Sequence, residues 1–214
     1  MKKILLVVSI YCLACCYGCV GEKIAKDNLF YSPNSPSLKV EFNNDIQFVG
    51  KDHGSSGPIM THTYFYSSPK KDGNVAEASW VELMSVKPGW YLNPKHIIGD
   101  NVPNSGVFTK NIDNDQYYCR IFITKTNPKG SIESFYTGQG INLQKYATVR
   151  LCNKMISDRQ KVTLGYAAGI SPAVINQVVG KNFAVKELTQ KQIDYFNNFD
   201  AKADSSLSLS KADE

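Results

Sequence analysis

Period-two alternation of apolar and polar residues runs through this chain from Leu38 to Ala168, and helical periodicity appears only after Ser171. That order constrains the fold most, because strands and helices each bury one face and must find cover for it. Leu38-Val40-Phe42 and Ile46-Phe48 flank Asn43-Asn44-Asp45 and predict a hairpin with a three-residue turn. Gly54-Ser55-Ser56-Gly57-Pro58 reads as a loop by composition, and Ile59 to Tyr66 as the strand after it. Asp72-Gly73 centres a turn before a strand over Glu77–Val86, with Trp80, Met84 and Val86 on one face. Strands are also expected at Tyr117–Thr124, Ala147–Cys152 and Lys161–Ala168, the last two separated by Asn153–Gln160. Pro88 to Ser105 reads as a long loop, and 127–146 holds at most one further strand near Ile132–Tyr136.

Helix signals cluster at the end. Ser171-Pro172 offers an N-cap and a proline at the first helical position, and Val174, Ile175, Val178 and Val179 form a stripe ended by Gly180. Thr189 and Gln192 have the spacing of a capping box, with Leu188 and Ile193 as its hydrophobic staple, followed by Phe196, Phe199 and Ala203. Strands first and helices last predict an α+β fold: one domain over 37–203, mainly antiparallel sheet covered by the C-terminal helices. The serine-rich stretch 204–214 is expected to fray.

The first residues belong to a different regime. Lys2-Lys3 precede Ile4–Ala14, an apolar run of eleven residues, and charge returns only at Glu22. A basic start followed by a short apolar run describes an export signal, assigned to residues 1–18. Ile4–Val20, seventeen residues, is at the short limit for spanning a bilayer, so a retained signal anchor is the second reading. Residues 19–36, with Pro33 and Pro36, read as a tether that lifts the domain off whatever holds its start.

Four of the six cysteines lie between positions 12 and 19. Leu13-Ala14-Cys15-Cys16 resembles the lipobox of bacterial lipoproteins, an aliphatic residue and two small residues before a cysteine, with Cys15 standing where Gly or Ala is usual. The resemblance implies that Cys16 receives diacylglycerol on sulphur and becomes the new N-terminus. Cys19, after Cys16-Tyr17-Gly18, and Cys15, after Ala14, are the alternative acceptors. Neither Tyr17 nor Gly18 is the Asp that commonly retains lipoproteins at the inner membrane, so the resemblance implies an outer-membrane location facing the periplasm. Ordinary secretion after cleavage at Ala14 or Gly18 is the runner-up. Each buried methylene contributes about 0.8 kcal/mol, so two or three acyl chains hold durably where one does not.

Export changes the reading of Cys119 and Cys152. In an oxidising compartment they can pair. Alternation argues against it: Cys119 shares an apolar row with Tyr117, Ile121 and Ile123, whereas Cys152 follows Thr148 and Arg150 on a polar one. A disulfide is expected, with two separate buried thiols as the alternative.

Little else points to chemistry. Without Lys2 and Lys3, the 24 basic residues become 22 against 19 acidic ones, and Arg occurs only at 120, 150 and 159. Such dispersed charge argues against nucleic-acid binding. His53, His62 and His96 show no metal-chelating spacing, so no metal or cofactor is expected. Ser55-Ser56 beside His53 lacks the strand–elbow–helix setting of a hydrolase nucleophile. Trp90 and Tyr91, framed by Pro88-Gly89 and Asn93-Pro94, with the tyrosine row Tyr64 and Tyr66, form the expected contact surface. Trp90 plugging one end of the core is the plainer alternative. The chain thus reads as a non-enzymatic, lipid-anchored envelope protein with an unknown envelope partner or small ligand; an exported hydrolase with a non-local site is the alternative.

Overall fold

The computed structural model describes residues 23–71, 74–93, 105–127, 129–178 and 188–212. The fold is α+β and mainly antiparallel. A seven-stranded sheet runs in the order β4 (Gln47–Ser56), β5 (Ile59–Ser67), β6 (Glu77–Val86), β10 (Gln160–Gly169), β9 (Tyr146–Ser157), β8 (Asp115–Lys125), β7 (Ser105–Ile112). A four-stranded sheet runs β1 (Ile24–Lys26), β2 (Leu29–Ser32), β3 (Leu38–Phe42), β11 (Leu207–Ser210).

The large sheet is covered on both faces. On one, Tyr64, Val81, Ile121, Leu164 and Tyr166 pack against the small sheet and the two C-terminal helices, α2 (Pro172–Val178) and α3 (Gln190–Ser205). On the other, Phe65, Trp80 and Val149 meet a short helix, α1 (Ser131–Gly138). The Tyr136 hydroxyl of α1 is fully buried and lies 2.7 Å from the Tyr66 carbonyl and 2.9 Å from the Ser79 carbonyl, so it fastens the helix across β5 and β6. Phe135 stacks on Phe65 with ring centroids 3.9 Å apart and fills the space above Gly50, beside a bulge in β4. Trp80 lies over its cross-strand neighbour Gly165, where a Cβ would stand 1.9 Å from the indole.

Several expected boundaries move. Ile132–Tyr136 is helix, not strand: a spacing of four residues fits both periods, and Phe135, three beyond Ile132, completes a helical face. β3 and β4 do not pair with each other, since Asn43–Asp45 carries the chain from one sheet to the other, with the Asn43 N–H donating to the Ser206 carbonyl. β4 and β5 run on to a two-residue turn, Gly57-Pro58, with Gly57 at φ 58°, so the Gly54–Ser56 loop is strand. β9 and β10 likewise close at Asp158-Arg159. β7 occupies the end of the expected loop and beyond it, and pairs with β8 through Asp113-Asn114, both at positive φ, as a type I′ turn requires.

The two ends of the chain are ordered further than expected. Residues 24–32 form β1 and β2 rather than a tether, with Phe30 and Ser32 at 0% exposure. Leu207–Ser210 pairs with β3 rather than fraying, and Ala212 is buried. Ser171 accepts the Val174 N–H as N-cap of α2, and the Thr189–Gln192 capping box is formed in α3. Gln192 rather than Ile193 joins the buried stripe of α3, because the box turns its side chain inward. Val179 and Gly180 lie outside the described residues.

Candidate functional site

Three connections meet at one end of the large sheet: the β4–β5 turn, the start of the β6–β7 connection and the β9–β10 turn. The Val86 N–H donates to the Arg159 carbonyl at 3.0 Å, Lys87 N–H to Pro58 at 3.0 Å, and Leu92 N–H to Asp158 at 2.8 Å. Between them Lys87-Pro88-Gly89-Trp90 forms a turn closed by the Trp90 N–H on the Lys87 carbonyl. Proline in second place and glycine third, at φ 86°, are the residues a type II turn needs. The turn is pinned to both neighbours, so it holds Trp90 and Tyr91 outward, at 58% and 64% exposure. Arg159 covers the Tyr91 ring with its guanidinium 5.4 Å from the centroid. A rigid backbone presenting large amphipathic rings beside a cation is suited to a partner surface.

Tyr64 and Tyr66 do not share this surface. They are 7% and 0% exposed, and they hold the small sheet: Phe30 lies 4.7 Å from the Tyr64 ring, Phe42 4.2 Å from Tyr66, and the Tyr66 hydroxyl donates to the Leu29 carbonyl at 2.9 Å. Burial pushes both phenols above their usual range. The segment 24–32 supplies the cover, and its reading as a tether is what left these tyrosines exposed in expectation.

Further along the same hairpin, His53 and His62 stand directly opposite each other on β4 and β5. Both are exposed. Partial burial, then the charges of Lys23, His53 and Lys51, lower the proton affinity of His62. No group of three or more His, Cys, Asp or Glu able to hold a metal occurs among the described residues. His96 and the acyl-acceptor candidates Cys15, Cys16 and Cys19 lie outside the described residues.

Cys119 and Cys152 are joined in a disulfide, as cross-strand partners on β8 and β9 with Cα atoms 4.0 Å apart. The conflict of rows dissolves because the Thr148–Arg150–Cys152 row faces the same core as Tyr117, Cys119 and Ile121. Its polar members are buried with partners that α3 brings. Arg150 Nη1 lies 2.6 Å from both Asp200 Oδ1 and Asp204 Oδ1, and Lys110 Nζ reaches the other oxygen of each carboxylate. Thr148 Oγ1 shares a 2.7 Å hydrogen bond with the Tyr195 hydroxyl. Burial raises the Asp204 carboxyl, but the bonds from Lys110 and Arg150 outweigh it and hold the group below its usual range. Two cations against two carboxylates, all engaged with one another, form a structural lock between sheet and helix.

Two open hollows lie elsewhere on the described surface. One, of about 200 Å³, lies over the second face of the sheet beside Trp80, Ile132 and Leu143. The other, of about 290 Å³, lies between β7 and α3, beside Phe108, Ile193 and Phe196. Both walls are mainly apolar and neither gathers converging acid–base groups. Comparison with protein-family models, with characterised proteins and with solved structures finds no match to this chain.

Proposed function

We propose that the protein is a lipid-anchored component of a bacterial cell envelope, on the outer membrane and facing the periplasm, and that its domain is a binding or assembly module rather than an enzyme. The observation that carries this reading is the cysteine cluster at the end of the leader: Lys2-Lys3, an eleven-residue apolar run, then Leu13-Ala14-Cys15-Cys16. The buried Cys119–Cys152 bridge supports it, because cross-strand disulfides persist in oxidising compartments. So does the rigid turn that displays Trp90 and Tyr91.

Metabolic labelling of cells with a palmitate analogue tests the anchor. Label is expected on the wild-type protein, and the dependence on Cys16→Ser, Cys19→Ser and Cys15→Ser identifies the acceptor. Label that persists when all three are replaced defeats the reading.

A further inference from the structure

The start of the folded domain lies close to the candidate acyl acceptors. β1 begins at Ile24, so Cys19 precedes the first described residue, Lys23, by four positions and Cys16 by seven. A fully extended chain covers at most about 3.6 Å per residue, which limits the leash to about 14 Å from Cys19 and about 25 Å from Cys16. A domain of this size has a radius of gyration of about 16 Å. With one of these cysteines acylated, Lys23 would stay within about 25 Å of the bilayer surface.

The surface around Lys23 is that of the long β4–β5 hairpin. The Asp27 carbonyl accepts the Phe48 N–H, and β1 packs along β4, which brings the charge of Lys23 within electrostatic reach of His62. The histidine pair stands four residues from the Gly57-Pro58 turn, about 14 Å along the strand. At that turn the hairpin meets Lys87, and beyond Lys87 come Trp90 and Tyr91. Met60, opposite Ser55 on the same face as His62, is exposed as well. Among the described residues of this region, the cations Lys23, Lys51, Lys87, Arg159 and Lys161 outnumber the carboxylates Asp52 and Asp158. Asp52 occupies the opposite face of β4 from Lys51 and His53, and its carboxylate accepts the His53 N–H. Trp and Tyr rings favour the headgroup layer of a bilayer, and Lys and Arg favour an anionic one.

We propose that the β4–β5 hairpin, together with the turns that meet at its tip, is a bilayer-docking surface, with Trp90 and Tyr91 seated among the headgroups while Lys23, Lys51, Lys87 and Arg159 meet anionic lipid. The proposal rests on the anchored reading above and adds an orientation to it: the domain lies with its β4–β5 hairpin along the membrane.

The chain contains two tryptophans, and Trp80 is buried against Gly165, so Trp90 alone can report lipid contact. The full-length protein, purified from membranes, is reconstituted into phosphatidylcholine vesicles with and without phosphatidylglycerol, each prepared with ordinary or brominated acyl chains. On anionic vesicles the emission is expected to shift to the blue and to lose intensity in brominated lipid, and Trp90→Phe is expected to abolish both effects. Lys51→Glu with Lys87→Glu is expected to weaken the quenching on anionic vesicles. Protein that floats with vesicles yet shows neither shift nor quenching overturns the docking and leaves the anchor standing. Protein that does not float with vesicles overturns both. Quenching unchanged in the charge-reversed variant overturns the assignment of the cations.

Discussion

Arg150 shows how a single residue can mislead a reading of alternation. Its side chain is 3% exposed, in a row that faces the core, because Asp200 and Asp204 arrive from a helix fifty residues further along. A buried charge stays buried only when its partners come with it. Asp204→Asn alone is expected to be mild, since Asp200 still engages both cations. Asp200→Asn with Asp204→Asn strands the guanidinium and is expected to cost about 3–5 kcal/mol in urea denaturation, far more than twice the single change. Equal, additive effects would contradict the lock. The Asp204 carboxyl is held below its usual value of 3.8, so its contribution is present above that pH and is lost as pH falls through the lowered folded value. Gly165 is the second informative residue. Alanine there would drive a Cβ into the Trp80 indole, and a loss of about 1–3 kcal/mol is expected from overpacking. An unchanged thermal midpoint for Gly165→Ala would mean that the indole lies elsewhere.

At the scale of elements, strong local signals were legible and tertiary choices were not. The Thr189–Gln192 box and the Ser171 cap depend on neighbours a few residues apart, and each forms as its residues predict. β7 escaped notice although Asp113-Asn114 is a good type I′ turn, because the breakers of 88–105 masked the short alternation after them. The first strands escaped for a different reason: β1 is three residues long and β2 four, and only pairing with β3 and packing on Tyr64 and Tyr66 makes them strands. The exposure of these rings was therefore half legible: Trp90 and Tyr91 stand open to solvent, and the two tyrosines lie beneath other chain. The disulfide staples β8 to β9 at the centre of the main core. Replacing both cysteines by alanine is expected to lower stability by about 4 kcal/mol, from the 33-residue separation it closes in the unfolded chain. Because both residues are buried, the native protein is expected to resist thiol reductants until it is partly unfolded. Rapid reduction under native conditions, followed by trapping of both thiols, would contradict that placement.

For the whole molecule, tyrosine links core and surface. Burial pushes the phenols of Tyr66, Tyr117, Tyr136 and Tyr166 upward, so the folded state keeps them neutral. Their contribution is complete below the ordinary tyrosine value of 10.0 and is lost as pH rises above it, because the unfolded chain gains by ionising first. A spectrophotometric titration is expected to show exposed tyrosines ionising reversibly and a second group ionising only together with unfolding. A single reversible step for every tyrosine would contradict the packing of the two sheets. Strand pairing begins at Ile24, only a few residues after the cysteine cluster, so an acyl group on that cluster would hold the domain close to its bilayer. Mass spectrometry of the N-terminal peptide, from protein isolated from membranes, tests whether that cluster carries a fatty anchor. The expected peptide begins at a cysteine, Cys16 first among the three, and carries the mass of a diacylglyceryl thioether. A peptide that begins at Met1, or one in which all three thiols are unmodified, would contradict it.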